Sequence, residues 1–172
     1  MLFRSDKDIL IVLHTMGSHG PAYYKRYPQA FEMFTPTCQT NQLNECSDVE
    51  INNAYDNSII YTDYFLSKVI TLLKNNSKQH ASAMLYVSDH GESLGENGIY
   101  LHGLPYTIAP SEQIQVPAIL WLSEAISKAY DLRSIKEKSS ALLSHDNLSH
   151  TLLGLMGVET EVYEQSLDIM AK

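Results

Sequence analysis

The 172-residue chain has no apolar run near the roughly 20 residues that a membrane-spanning helix needs. Its opening "MLFRSDKD" also lacks the apolar core of a secretory leader, so the chain as written is not expected to be exported. Positive charge is scarce: twelve Lys and Arg stand against twenty Asp and Glu, for a formal charge of -8. Those twelve are scattered, which argues against a general binder of nucleic acid or anionic membrane, because phosphate-rich surfaces are held by clustered cations. GxSxG, P-loop and dinucleotide fingerprints are all missing, and a Ser-His-Asp hydrolase is disfavoured accordingly. Repeats and low-complexity tracts are absent too. There are only two cysteines, Cys38 and Cys46, in the polar loop "TPTCQTNQLNECS". Their spacing is compatible with a disulfide, which persists only in an oxidising compartment, and equally with two reduced thiols.

What is present reads as one domain with alternating strands and helices. "DILIVLH", Asp8 to His14, is a short β-branched apolar run of the kind found in buried strands. A helix is expected to start at Pro21, and a loop to fill Phe34 to Asp48. The strongest helical period follows, with apolar residues at Ile51, Tyr55, Ile59, Leu66, Ile70 and Leu73. Asp48 is its expected cap and "KNNSK" its end. Further strands are expected over Ala81 to Ser88 and Val116 to Ser123, with a long loop from Gly91 to Pro110 between them. A short helix should begin at Glu124, and a last helix should run over "HDNLSHTLLGLMG" from a Ser144 cap to a Gly157 stop. Strands separated by helices imply βαβ crossovers and an α/β layered fold.

In open α/β sheets the site lies beyond the carboxyl ends of the strands. Two polar clusters stand there: "HTMGSHG" after the first strand and "SDHGESLGENGIYLHG" after the second. Asp89 and His90 offer a carboxylate oxygen and an imidazole nitrogen, donors that suit zinc, and Gly91 permits a sharp turn behind them. Two ligands do not make a site, since catalytic zinc usually takes three from the protein. His19 and His102, each set beside glycine, are the further loop candidates. Glu92 is either a ligand, a partner of a ligand, or simply exposed. Glu96 reads as a surface residue, His14 as a structural histidine, and His145 and His150 as packing or solvent-facing residues. Tyr55, Tyr61, Tyr64 and Trp121 read as core and rim.

The extended motif "SDHGESLGENGIYLHGLPY", with "QVPAILWLS" after it, "IVLHTMGSHGPAYY" before it and "DNLSHTLLGLMGVET" near the end, resembles the bacterial phosphoethanolamine transferases that modify lipid A. These include the colistin-resistance enzymes, and the likeness covers essentially the whole chain. "SDHG" alone is shared with sulfatases and other alkaline-phosphatase relatives. The resemblance implies an alkaline-phosphatase-like layered sheet with helices on both faces, in the periplasmic catalytic domain of an inner-membrane enzyme of Gram-negative bacteria. It implies transfer of phosphoethanolamine from phosphatidylethanolamine to a lipid A phosphate through a zinc-assisted covalent phosphoenzyme. Polymyxin resistance is a possible consequence of such lipopolysaccharide modification. By the same resemblance Asp89 and His90 match zinc ligands, His19 and His102 match residues at the substrate head group or an additional zinc and are expected to act in catalysis, with Glu92 beside them in substrate binding, and Cys38 and Cys46 match a disulfide.

Family enzymes also carry a membrane domain, a Glu ligand on an early strand and a Thr nucleophile at a helix start. Residues 1–172 are expected to correspond to the C-terminal portion of the catalytic domain, truncated on its N-terminal side. The chain alone is then expected to be inactive, and its uncovered sheet edge to favour self-association. The alternatives are a metal-dependent sulfatase or phosphodiesterase of the same superfamily, and an inactive truncated remnant.

Overall fold

The computed structural model describes residues 8–171, which divide into two compact units. One is Thr15–Trp121; the other joins residues 8–14 to the chain from Leu122 onward.

The first unit is organised by α1, Asp48–Asn76, a 29-residue helix. It begins one residue earlier than the sequence suggests, because Ser47 rather than Asp48 caps it. Ser47 Oγ accepts from Glu50 N, and the Glu50 carboxylate accepts from Ser47 N at 2.8 Å, a reciprocal capping box. The buried face runs through Ile51, Ala54, Ser58 and Leu66. Ile59, on the expected apolar stripe, is exposed. Asn57 is also fully buried and is satisfied by the loop over it: its Oδ1 accepts from Met33 N and Phe34 N, and its Nδ2 donates to Phe34 O. Around this helix pack Tyr23, Cys38, Leu43 and Leu94, with Cys46, Tyr55, Tyr100 and Leu101 at the margin. Cys38 and Cys46 form a disulfide with their Cα atoms 5.7 Å apart, pinning the loop to the core.

β1, Ala83–Val87, is followed by β2, Ser93–Leu94, and β3, Tyr100–Leu101. β2 and β3 form a small antiparallel hairpin, Ser93 opposite Leu101 and Leu94 opposite Tyr100. The long loop expected from Gly91 to Pro110 is thus folded back on itself in its first part, the turn made by the positive-φ residues Gly95, Asn97 and Gly98. A four-residue α2, Ser111–Ile114, leads to β4, Ala118–Leu122, which hydrogen-bonds to β1 across a crossover.

Two expectations in the amino-terminal part are corrected. Asp8 to His14 has no regular secondary structure, and Ile9 to Leu13 are 47 to 77% exposed. Its apolar, β-branched composition suits a strand, but a strand needs a neighbour for its backbone groups, and neither described sheet includes it. From Pro21 the chain forms two 3-10 turns, Tyr23–Lys25 and Gln29–Phe31, rather than an α-helix; Pro28 stands between them.

In the second unit α3, Glu124–Ser127, precedes α4, Leu132–Lys138, and α5, Asp146–Leu155. α4 lies between the two helices expected here, in a stretch for which no element was expected; Asp131 caps it, accepting from Arg133 N at 3.0 Å. Ser144 Oγ accepts from Asp146 N at the start of α5, and Gly157, at φ 61°, turns the chain just after its end. Lys138 Nζ donates to the carbonyls of Asp168, Ile169 and Ala171, and buried Asp168 accepts from Tyr163 Oη and Met170 N. These bonds, with buried Met170, fasten the final turns to the helices.

Candidate active site

Three loops of the first unit bring His19, His90 and His102 together. One potential ligand atom from each lies within 4.8 Å of the others. The His90 and His102 rings stack at 3.8 Å and 27°, while His19 stands edge-on to both, at 5.4 Å and 4.9 Å. Each position has a local cause. His19 is set by a turn in which its own N–H donates to Met16 O, with Arg26 Nε donating to the His19 carbonyl at 2.6 Å. Gly20 follows it because a Cβ there would run into Leu101 and the Tyr23 ring. His90 leaves β1 at a turn closed by Ser88 Oγ, which donates to the His90 carbonyl at 2.8 Å. His102 leaves β3 directly after Leu101, which sits at φ 64°, a strained conformation for a branched side chain.

The ring nitrogens are ordered by their partners. His19 Nδ1 faces the Gly20 carbonyl at 2.7 Å, His90 Nδ1 faces the Gly91 carbonyl at 3.0 Å, and His102 Nδ1 faces Glu92 Oε1 at 3.2 Å. Carbonyl and carboxylate oxygens only accept, so each Nδ1 carries the proton and donates. Nε2 is then the ring atom left to ligate a metal, the tautomer in which histidine binds through Nε2, with Asp89 Oδ2 standing 3.9 Å from His90 Nε2. The donor set and its spacing fit a divalent cation that favours nitrogen, zinc among them.

Glu92 is the centre of the supporting shell. Its side chain is only 4% exposed, and it accepts from Gly20 N at 3.0 Å and Tyr23 Oη at 3.1 Å as well as from His102. Burial and the Glu92 charge together hold the Tyr23 phenol far above its ordinary range, so it stays a donor; Tyr55 is shifted upward by the same two causes. Asp89 is 77% exposed, its Oδ1 accepting from His90 N at 3.1 Å and its Oδ2 lying 3.9 Å from His90 Nε2. It stands at the edge of the cluster rather than inside it. Glu96, read as a surface residue, accepts from Leu94 N at 2.7 Å and serves the hairpin turn. His14 is exposed in the irregular segment. Tyr23 and Gly20 were not singled out by sequence; the pairing of "HGPAYY" with Glu92 spans 69 to 72 residues and leaves no local signal.

The arrangement suits chemistry on an anionic phosphate or sulfate group: three imidazoles facing one point, with a buried carboxylate fixing the tautomer of one of them. Comparison with known proteins points the same way. The sulfatase family profile matches residues 2–158. The chain is 53% identical over 166 residues to the phosphoethanolamine transferase EptA of Escherichia coli K12, covering 95% of this chain and 30% of that protein. It is 46% identical over 155 residues to the phosphatidylethanolamine transferase Mcr-1 of Escherichia coli, covering 90% of this chain and 28% of that one. In three dimensions it is similar to the integral membrane protein lipooligosaccharide phosphoethanolamine transferase A of Neisseria meningitidis, with a TM-score of 0.92 and 46% identity over 96% of this chain and 32% of that one. The chain thus spans about 30% of the length of the curated relatives it matches. Its fold, mixed helix and sheet, is the alkaline-phosphatase-like fold of these transferases. By its sequence profile and its fold, the chain belongs to the sulfatase family.

Proposed function

We propose that residues 1–172 supply the histidine side of a zinc-assisted phosphoethanolamine-transfer site, with phosphatidylethanolamine as donor and a lipid A phosphate as acceptor. The observation that carries this reading is the convergence of His19, His90 and His102 with every Nδ1 engaged by an acceptor oxygen. The relatives named for this transfer support the substrate class, and the relative described as an integral membrane protein supports an inner-membrane enzyme with its catalytic domain in the periplasm. The disulfide agrees with that oxidising compartment.

In this reading Asp89 and His90 are zinc ligands, with the remaining ligand and the threonine nucleophile coming from the part of the relatives that this chain does not span. Bound zinc would neutralise charge on the phosphoryl oxygens and lower the pKa of the attacking hydroxyl. His19 and His102 face the phosphate of the head group or an additional zinc; with His102 Nδ1 keeping its proton on Glu92, a second proton taken up at Nε2 can be passed to a departing oxygen. Tyr23 and Gly20 hold Glu92 in turn. The same arrangement would serve phosphoryl transfer through electrostatic stabilisation of the equatorial oxygens. Self-association of the chain is supported by the exposed apolar run Ile9 to Leu13.

Zinc uptake by the 172-residue chain, lost in His90→Ala, is the expected result. Unchanged metal content in His90→Ala would overturn the reading and leave an inactive remnant. The sulfatase profile favours hydrolysis as the second reading. Product analysis of the complete enzyme with lipid A present separates the two: modified lipid A means transfer, and free phosphoethanolamine alone means hydrolysis.

A further inference from the structure

We propose that Gln113 is a positioning residue that ties the His90 turn to the His102 loop and thereby sets the distance between the two rings. The proposal rests on the reading of the histidine cluster as a metal and phosphate centre. Gln113 lies on α2, 5% exposed, and its side-chain hydrogen bonds go to Ser93 and Leu104 rather than to a histidine ring. Three of its polar atoms reach backbone or side-chain atoms beside the site residues. Its main-chain carbonyl accepts from Gly91 N at 2.9 Å, immediately after His90, a bond that side-chain substitution leaves in place. Its Nε2 donates to Ser93 Oγ at 3.0 Å, immediately after Glu92, and its Oε1 accepts from Leu104 N at 3.3 Å, two residues after His102. Ser93 is fully buried and pairs with Leu101 in the hairpin.

The geometry explains both the residue type and its neighbour. A buried position that must donate at one atom and accept at another suits a primary amide, whereas methionine of similar volume offers neither strong group. Gly91 packs so closely on α2 that a Cβ would run into the Glu112 carbonyl oxygen. The His90 turn is therefore pressed against the same short helix that holds the His102 loop. Beside the hairpin, whose last strand residue Leu101 is itself in a strained conformation, and the Glu92–His102 bond, Gln113 supplies a further cross-tie between segments whose imidazole rings stack at 3.8 Å.

The test compares the 172-residue chain with its Gln113→Met, Gln113→Glu and Ser93→Ala variants. Nuclear Overhauser contacts between the His90 and His102 ring protons are recorded without metal, zinc affinity is measured by chelator competition, and the Tyr23–Tyr55 ring contact serves as a folding control. In Gln113→Met the His90–His102 contact should disappear while the Tyr23–Tyr55 contact persists, and zinc should bind about ten-fold more weakly. Gln113→Glu keeps an acceptor for Leu104 N and can accept from the Ser93 hydroxyl, so it should recover most of both signals. Ser93→Ala should shift them less, in the same direction. Retention of the His90–His102 contact in folded Gln113→Met overturns the proposal; should that variant not fold, an unchanged Ser93→Ala does so. If the parent chain binds no zinc, the metal reading fails, and the ring contact alone still decides the role of Gln113.

Discussion

His102 Nδ1 donates to Glu92 Oε1 at 3.2 Å, joining the residue just before β2 to the residue just after β3. The bond closes the mouth of the hairpin and fixes one imidazole of the cluster in a single tautomer. Because Glu92 also receives Gly20 N and Tyr23 Oη, one buried carboxylate holds two of the three histidine loops.

Replacing that carboxylate should therefore damage the site more than the fold. Glu92→Gln is expected to weaken zinc binding by about 10- to 100-fold. It should cost about 1–3 kcal/mol of stability, through poorly paired buried donors. Chelator competition and urea denaturation measure the two; zinc affinity equal to the parent's would sink the role assigned to Glu92.

Tyr23 gives a pH signature. Its phenol is pushed upward, first by burial and then by the Glu92 charge, so the folded protein holds this proton more tightly than the unfolded chain, where the phenol titrates near about 10. The stabilisation is complete below that value and is lost progressively as the pH rises above it. In Tyr23→Phe the alkaline decline in stability should become shallower, although the variant is less stable at neutral pH for lack of the bond to Glu92. Parallel pH profiles of the two proteins would contradict this account.

The parts of this structure legible in the sequence are those whose cause is local. α1 announces itself through an apolar period longer than any other in the chain, and its cap was misplaced by one residue only because Ser47 and Asp48 are both good caps. The two polar clusters stood out because glycine and histidine rarely gather after an apolar run without a use. The hairpin was not legible: strands of two residues are too short to show alternation, and the positive φ of Asn97 and Leu101 is not written in their side chains. Nor was the burial of Glu92, which depends on donors some 70 residues away in sequence. The run Asp8 to His14 misled because composition states a preference for a strand and says nothing about a neighbour to pair with.

The disulfide should be a measurable part of the first unit's stability. Cys38 and Cys46 are separated by 8 residues, and a loop of that size contributes about 2–3 kcal/mol in the chain-entropy account. Reduction, or Cys38→Ser with Cys46→Ser, should lower the urea midpoint correspondingly. A midpoint unaffected by reductant would show that the core around Cys38 holds the loop without the bridge.

The capping box offers a control outside the histidine cluster. Ser47→Ala should lower stability by about 1 kcal/mol through the lost bond to Glu50 N, while leaving zinc affinity unchanged. A change in zinc affinity there would mean that the start of α1 and the histidine cluster are coupled in a way these contacts do not explain.

The central claim is that His19, His90 and His102 face one metal and phosphate centre, and zinc K-edge absorption of the 172-residue chain loaded with one equivalent of zinc tests it most directly. The account predicts imidazole scattering at about 2.0 Å from more than one histidine. With no substrate phosphate between them, His19 and His102 can reach the ion beside His90, so that scattering should diminish in His19→Ala, His90→Ala and His102→Ala alike. A spectrum of oxygen ligands only, or one indifferent to all three substitutions, would contradict it.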